Sequence, residues 1–306
     1  DRMPDADVIK KLDDAGIIQM MIGVASFLLS EAGNETSDTV IDISLTLTAL
    51  FIRKGAIKAW ANSNIIVDVV KQYKDNTKLL TTCLSILEYC PPEKFKAFAN
   101  ADFILVWVNA LKLQFIPEQI SEILKFLFYV LNTEPKIIDH LIDTDIFEYA
   151  LNTHTKEAFL LVRALILNDQ MAKKARSNGT VDWALSLMDE NIETPTYIHM
   201  CLFVLTKILL VIPFNSEEDP KTDGFDMKDF SKKCFLEICK VIKAQKDEAV
   251  LIDSYAVLLQ VLNGSQKEVH DTKILLITSV LLASHMNNLE FEVKLLRFLY
   301  QCTLEN

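Results

Sequence analysis

A chain of 306 residues that is 50% apolar and 24% charged, with only 7 Gly and 8 Pro, has too much to bury for a disordered protein. It also has too little turn punctuation for a collagen-like repeat or a many-stranded sandwich or barrel. Its net charge of −11 disfavours nucleic acid as a partner, because neutralising phosphates takes a basic surface, so what remains is an all-α chain longer than one globular core of ~250–300 residues comfortably serves.

Residues 1–36 read as N-terminal capping helices. Asp1, Asp5 and Asp7 stand where a secretory signal would carry basic residues. The chain opens on Asp1 without an initiator Met, so we expect a region excised from a longer protein. The longest nearly uncharged apolar stretches, Ile17–Leu29 and Ile274–Ser284, fall short of the ~20 residues a membrane-spanning helix needs, which predicts no membrane span.

From residue 37 the chain repeats itself, most clearly over 37–192. The run Ala56–Ile66 matches Lys94–Ile104 in character at nearly every position, 38 residues further on, and weaker copies follow at Ile137–Phe147 and Met171–Val181. Fixed-period self-similarity of about forty residues is the mark of a repeat architecture. Each copy reads as a short helix, a polar corner on Asn or Asp, and a second helix with apolar residues at i, i+3, i+4 and i+7, as in Ile104, Trp107, Val108 and Leu111. A longer third helix closes each unit: Thr39–Ile52, Thr77–Cys90, Glu118–Leu131, Lys156–Asn168, Thr196–Val211, Ala249–Asn263 and Phe291–Thr303. Asn76, Pro117 and the Thr194-Pro195 pair supply helix-entry chemistry. Residues 193–306 follow the pattern in divergent form and contain an acidic, turn-rich insertion loop at 214–229.

Helix triplets of this period with an Asn or Asp corner resemble the armadillo repeat and, less closely, the HEAT repeat. Asn62–Tyr73 looks like the family's second helix and Asn76–Cys90 like its third, and the likeness runs from about Val40 to Met188. The family usually has Gly at the corner, whereas only Gly179 supplies it here. The resemblance implies a right-handed α-solenoid of about seven repeats, one domain over 1–306, in which neighbouring triplets bury each other's apolar faces. Leu84, Leu87, Leu127 and Leu165 are then core, and Trp60, Trp107 and Trp183 are expected to pack between repeats.

Chemistry-bearing patterns are missing from the sequence. His140, His154, His199, His270 and His285 stand apart from acids and nucleophiles at motif spacing, and no nucleophile elbow, phosphate loop or zinc-protease motif occurs. An isolated histidine such as His199 between Ile198 and Met200 reads as a surface or satisfied core residue. Cys83, Cys90, Cys201, Cys234, Cys239 and Cys302 lie in apolar stretches without C-x-x-C pairs and read as buried, free thiols suited to the cytoplasm. A metal or redox pairing of Cys83 with Cys90 or of Cys234 with Cys239 is the disfavoured alternative. The sequons at Asn34, Asn178 and Asn263 are about as many as chance supplies. We expect no enzyme activity, no metal and no cofactor.

In armadillo proteins that hold extended peptides the third helices line the inner surface, and importin-alpha-like members carry a Trp and, one turn on, an Asn in each. The corresponding pairs here are Ser85 and Tyr89, Lys125 and Tyr129, Arg163 and Leu167, Phe203 and Lys207, Ala256 and Gln260, and Arg297 and Gln301. No Trp–Asn pair survives, so reading of nuclear-localisation peptides is unsupported. The cations Lys125, Arg163, Lys207 and Arg297 form a sparse row that an acidic segment would suit; the plainer alternative, favoured on sequence grounds, is that they pair with acids on the same surface or are solvated. The candidate partner-binding set is therefore Ser85, Tyr89, Lys125, Tyr129, Arg163, Lys207, Gln260, Arg297 and Gln301. The expected function is a non-catalytic protein-interaction scaffold. The alternatives are a formin-type armadillo region that binds a Rho-family GTPase and an autoinhibitory segment, or an armadillo-like chaperone cofactor.

Overall fold

The computed structural model describes residues 6–29, 34–53, 64–113, 115–211, 227–262, 265–285 and 288–304. These residues are helices and their connections, with no strand among them. The repeat copy at 56–63, Trp60 and most of the acidic loop, 214–226, lie outside the described residues. The chain divides into two compact units, Asp1–Ala164 and Leu165–Asn306.

The first unit contains α1 (Ala6–Asp14), α2 (Ile17–Leu28), α3 (Glu35–Arg53), α4 (Asn64–Gln72), α5 (Thr77–Leu87), α6 (Ala101–Ala110), α7 (Pro117–Thr133) and α8 (Ile146–Leu151); α9 (Lys156–Leu165) runs to its end. Asparagine side chains start these helices by accepting backbone N–H groups that the first turn leaves without partners. Asn76 accepts from Leu79 N at 3.2 Å, Asn100 from Phe103 N at 3.3 Å, and Asn34 from Thr36 N at 3.0 Å. That last contact extends α3 four residues beyond the expected start at Thr39. The short first helices of two repeats are 3-10 helices, Pro92–Phe98 and Pro135–Leu141; proline at the first turns removes donors, and such brief segments close more easily with i to i+3 bonds.

The third helices pack in series, α3 against α5 and α5 against α7, while α4 packs against α6 in a second row. Each buries one apolar stripe. On α5 it is Leu79, Leu80, Cys83, Leu84, Ile86 and Leu87; on α7 it is Ile123, Leu124, Phe126, Leu127, Val130 and Leu131. Trp107 on α6 is fully enclosed, edge-on to Phe103 and tilted against Phe126. Polar pairs tie the same helices together about one repeat apart. Asp42 holds Lys78 at 2.6 Å and Thr82 at 3.3 Å, Gln119 Nε2 donates to Thr81 Oγ1 at 3.2 Å, and Ser121 donates to Glu157 at 3.1 Å.

The second unit contains α10 (Asp169–Ser177), α11 (Thr180–Glu190), α12 (Pro195–Leu210), α13 (Met227–Ala244), α14 (Glu248–Val261), α15 (Gln266–Asp271), α16 (Ile274–Ser284) and α17 (Leu289–Leu304). Here α12 packs against α14 and α14 against α17. Asn168 caps α10 through Gln170 N and Met171 N, and Asp247 caps α14 through Val250 N. Two corners use left-handed backbone: Gly179 at φ 76° before α11 and Lys273 at φ 57° before α16. Lysine at such a position is strained, because its Cβ crowds the backbone. The four leucines expected in the core are buried, as is Trp183.

Two substitutions test this packing. Leu84→Ala is expected to cost about 2–5 kcal/mol in chemical denaturation, through lost transfer energy and a residual cavity between third helices; a loss below about half a kcal/mol, as for a surface site, would contradict the register. At Gly179, no atom lies within 4 Å of a built Cβ. Gly179→Ala should therefore cost about 1–2 kcal/mol from backbone strain alone, with helix content by circular dichroism unchanged.

Candidate functional surface

Burying one stripe of each third helix leaves the neighbouring positions facing outward. In the first unit these are Ser85 and Tyr89, at and just beyond the end of α5, Lys125 and Tyr129 on α7, and Arg163 on α9. Tyr89 is 37% and Tyr129 42% exposed, large for aromatic side chains and equivalent in register, forty residues apart. Neither is loose. Arg53 Nε donates to Tyr89 Oη at 3.1 Å with its guanidinium 6.0 Å from the ring centroid, and Tyr129 stacks on Phe95 at 5.3 Å. Ser85 turns its hydroxyl back to Thr81 O at 3.1 Å.

Lys125 is not an open cation. Its Nζ donates to both Glu122 oxygens, at 3.1 and 3.4 Å. Partial burial pulls its pKa down, but the Glu122 hydrogen bond and charge, with Glu88 and Tyr129 adding to them, outweigh that and leave the pKa raised. Arg163 is exposed on α9.

The second unit places its four candidate residues differently. Lys207 sits 5.8 Å over the Phe203 ring and lines a shallow pocket of about 280 Å³ with Leu167, Lys173 and Leu210. Gln260, Arg297 and Gln301 converge on one cleft of about 680 Å³ between α14 and α17, walled by Ala256, Leu259, Leu289 and Val293 and edged by Glu290 and Lys294. The helical spacing of Val293, Lys294, Arg297 and Gln301 puts them on one face of α17, a signal present in the sequence. The role of Leu259 and Leu289 as apolar wall is not in that signal, since it depends on how the two helices cross.

Other titratable groups find partners within the fold. His199 Nδ1 lies 2.9 Å from Asp253 Oδ2, and its Nε2 lies 3.9 Å from Asp247, so the histidine is satisfied by carboxylates 54 and 48 residues away in the chain. His285 is 3.7 Å from Glu248 and edge-on to Phe291. All six cysteines are buried and none is in a disulfide. Burial pushes the thiols of Cys83, Cys201 and Cys239 up to about 12, and that of Cys234 up as well. A thiol held protonated this way is a poor nucleophile and a poor metal ligand. Among the described residues no three His, Cys, Asp or Glu side chains gather as a metal site, and no helix is long and apolar enough to cross a membrane.

No protein-family model and no curated protein matches the chain.

The thiols give a pH prediction. Below about pH 9 they are protonated in both folded and unfolded chains. Between about 9 and 12 the unfolded chain releases protons that the folded one retains, so stability falls as pH rises. The urea midpoint should drop between pH 8 and pH 10, and native thiols at pH 8 should resist a disulfide reagent that titrates all six after unfolding.

Proposed function

We propose that the chain is a non-catalytic interaction module, in which the helix triplets of each unit are armadillo-like repeats stacked as a right-handed α-solenoid and the third-helix surface binds a protein segment. The single observation that supports this most is the repetition of outward side chains at matching third-helix positions: Tyr89 and Tyr129 in the first unit, Gln260 and Gln301 in the second. Repeated contacts at a fixed interval suit an extended ligand, which presents its own groups at a fixed interval.

The side chains on this surface are of the kinds that carry binding energy. Tyrosines offer large, stiff contact area with a polar tip, and arginine matches carboxylates with two parallel hydrogen bonds. A chain of net −11 that keeps Lys125, Arg163, Lys207 and Arg297 on third helices favours a partner with acidic character. Within the cell the compartment that suits six reduced thiols is the cytoplasm.

The test is affinity capture from lysate of the source cells with wild-type chain and with a Lys125→Glu, Arg163→Glu double variant, each in the presence of a GTP analogue and of GDP. Capture of a protein by the wild type and its loss with the variant is the expected result. Equal capture by both would remove the first unit's third-helix surface from consideration. Capture of a small GTPase only with the GTP analogue would assign the formin-type regulatory role instead.

A further inference from the structure

We propose that the cleft between α14 and α17 holds an extended peptide stretch in which a carboxylate side chain stands next to apolar ones. The inference rests on the interaction-module reading and names the ligand chemistry of one part of that surface. Three observations in the cleft lead to it.

The first is unsatisfied hydrogen bonding. Gln260 and Gln301 both line the cleft, and the Oε1 atom of each is buried with no hydrogen-bond partner. A buried polar atom left unpaired costs free energy, which is recovered when the side chain turns its amide towards the cleft and a ligand pairs it. The two sit 41 positions apart, on adjacent helices. A half-turn of either carboxamide exchanges its oxygen for its nitrogen, so each can meet a peptide N–H or C=O. An extended backbone offers both groups free along its edge. A helix has already used them within itself, so a helical ligand leaves both glutamines as they are.

The second is charge. Lys294 and Glu290 stand 3.7 Å apart and offset each other. Arg297 is exposed in the same cleft and has no carboxylate within ion-pair distance among the described residues. The cleft therefore carries one net positive charge in a chain of net −11. A planar guanidinium with a free fork selects a carboxylate that can take two hydrogen bonds from it. Third, Leu289 is 75% and Val293 53% exposed beside Arg297, with Leu259 across the cleft. These give apolar side chains on the same strand a place to leave water.

The experiment is fluorescence anisotropy with the full chain and three labelled heptapeptides: Gly-Leu-Asp-Leu-Asp-Leu-Gly, the same peptide with Lys for Asp, and the Asp peptide N-methylated along its central amides. The Asp peptide should bind at least tenfold more tightly than either of the others. Arg297→Glu, which melts at the wild-type temperature because the side chain is exposed, should weaken the Asp peptide at least tenfold, and Gln260→Ala with Gln301→Ala should abolish the penalty of N-methylation. Equal binding of the Asp and Lys peptides, a change below twofold with Arg297→Glu, indifference to N-methylation, or no binding of any peptide would each overturn the proposal. If the peptides fail while Lys125- and Arg163-dependent capture persists, the interaction-module reading stands and only this cleft assignment falls.

Discussion

The structure rests on one requirement: each long helix must bury an apolar stripe that only packing against other helices can cover. Leu80, Cys83, Leu84 and Leu87 of α5 are enclosed because α3 lies on one side and α7 on the other. In the second unit α14 is enclosed in the same way between α12 and α17. The neighbours α3 and α5, and α5 and α7, lie about one forty-residue period apart in sequence, and α12 and α14 somewhat more. Each of the two compact units is shorter than the ~250–300 residues at which one core stops growing.

The same requirement organises the polar groups. A helix buried along one stripe has flanks where side chains meet those of the next third helix, and there Asp42 pairs with Lys78, Thr81 with Gln119 and Ser121 with Glu157. Partly exposed pairs of this kind contribute little stability individually, but they favour one helix register over its neighbours. His199 between Asp253 and Asp247 does the same for α12 and α14. Beyond those flanks each unit has its own outward side chains. The cations among them are unequal: in the first unit Lys125 is engaged by Glu122, and in the second Lys207 lies over Phe203, whereas Arg297 stands in a cleft with its neighbours' charges already offset. A charge without a local partner has more to gain from an incoming carboxylate than one that must first give up an intramolecular bond.

Much of this was legible beforehand. All seven third helices lie where the apolar spacing puts them, with ends shifted by a few residues, because a stripe at i, i+3, i+4 and i+7 is dictated by the helix itself. Asn76 and Asn100 act as caps for an equally local reason: the side chain reaches an N–H three residues on. The corner at Asp145 departs from that pattern. Its side chain makes no cap and instead pairs with Lys112 at 3.2 Å, a choice set by where α6 ends. The brevity of α8 and the 3-10 form of Pro92–Phe98 and Pro135–Leu141 likewise follow from prolines and from what packs over these short segments.

The sequence by itself determined that the chain is all-helical, where its long helices run, that its cysteines and junction leucines are core, and which third-helix positions turn outward. Each of these depends on residues within a turn or two of one another. Tertiary structure decided which outward residues come together: Gln260 shares a cleft with Arg297 and Gln301 because α14 and α17 cross as they do, Tyr89 is held by Arg53, and Lys125 is held by Glu122. The spacing of side chains on different helices is fixed by helix crossing and rotamers, to which the apolar pattern along one helix is blind.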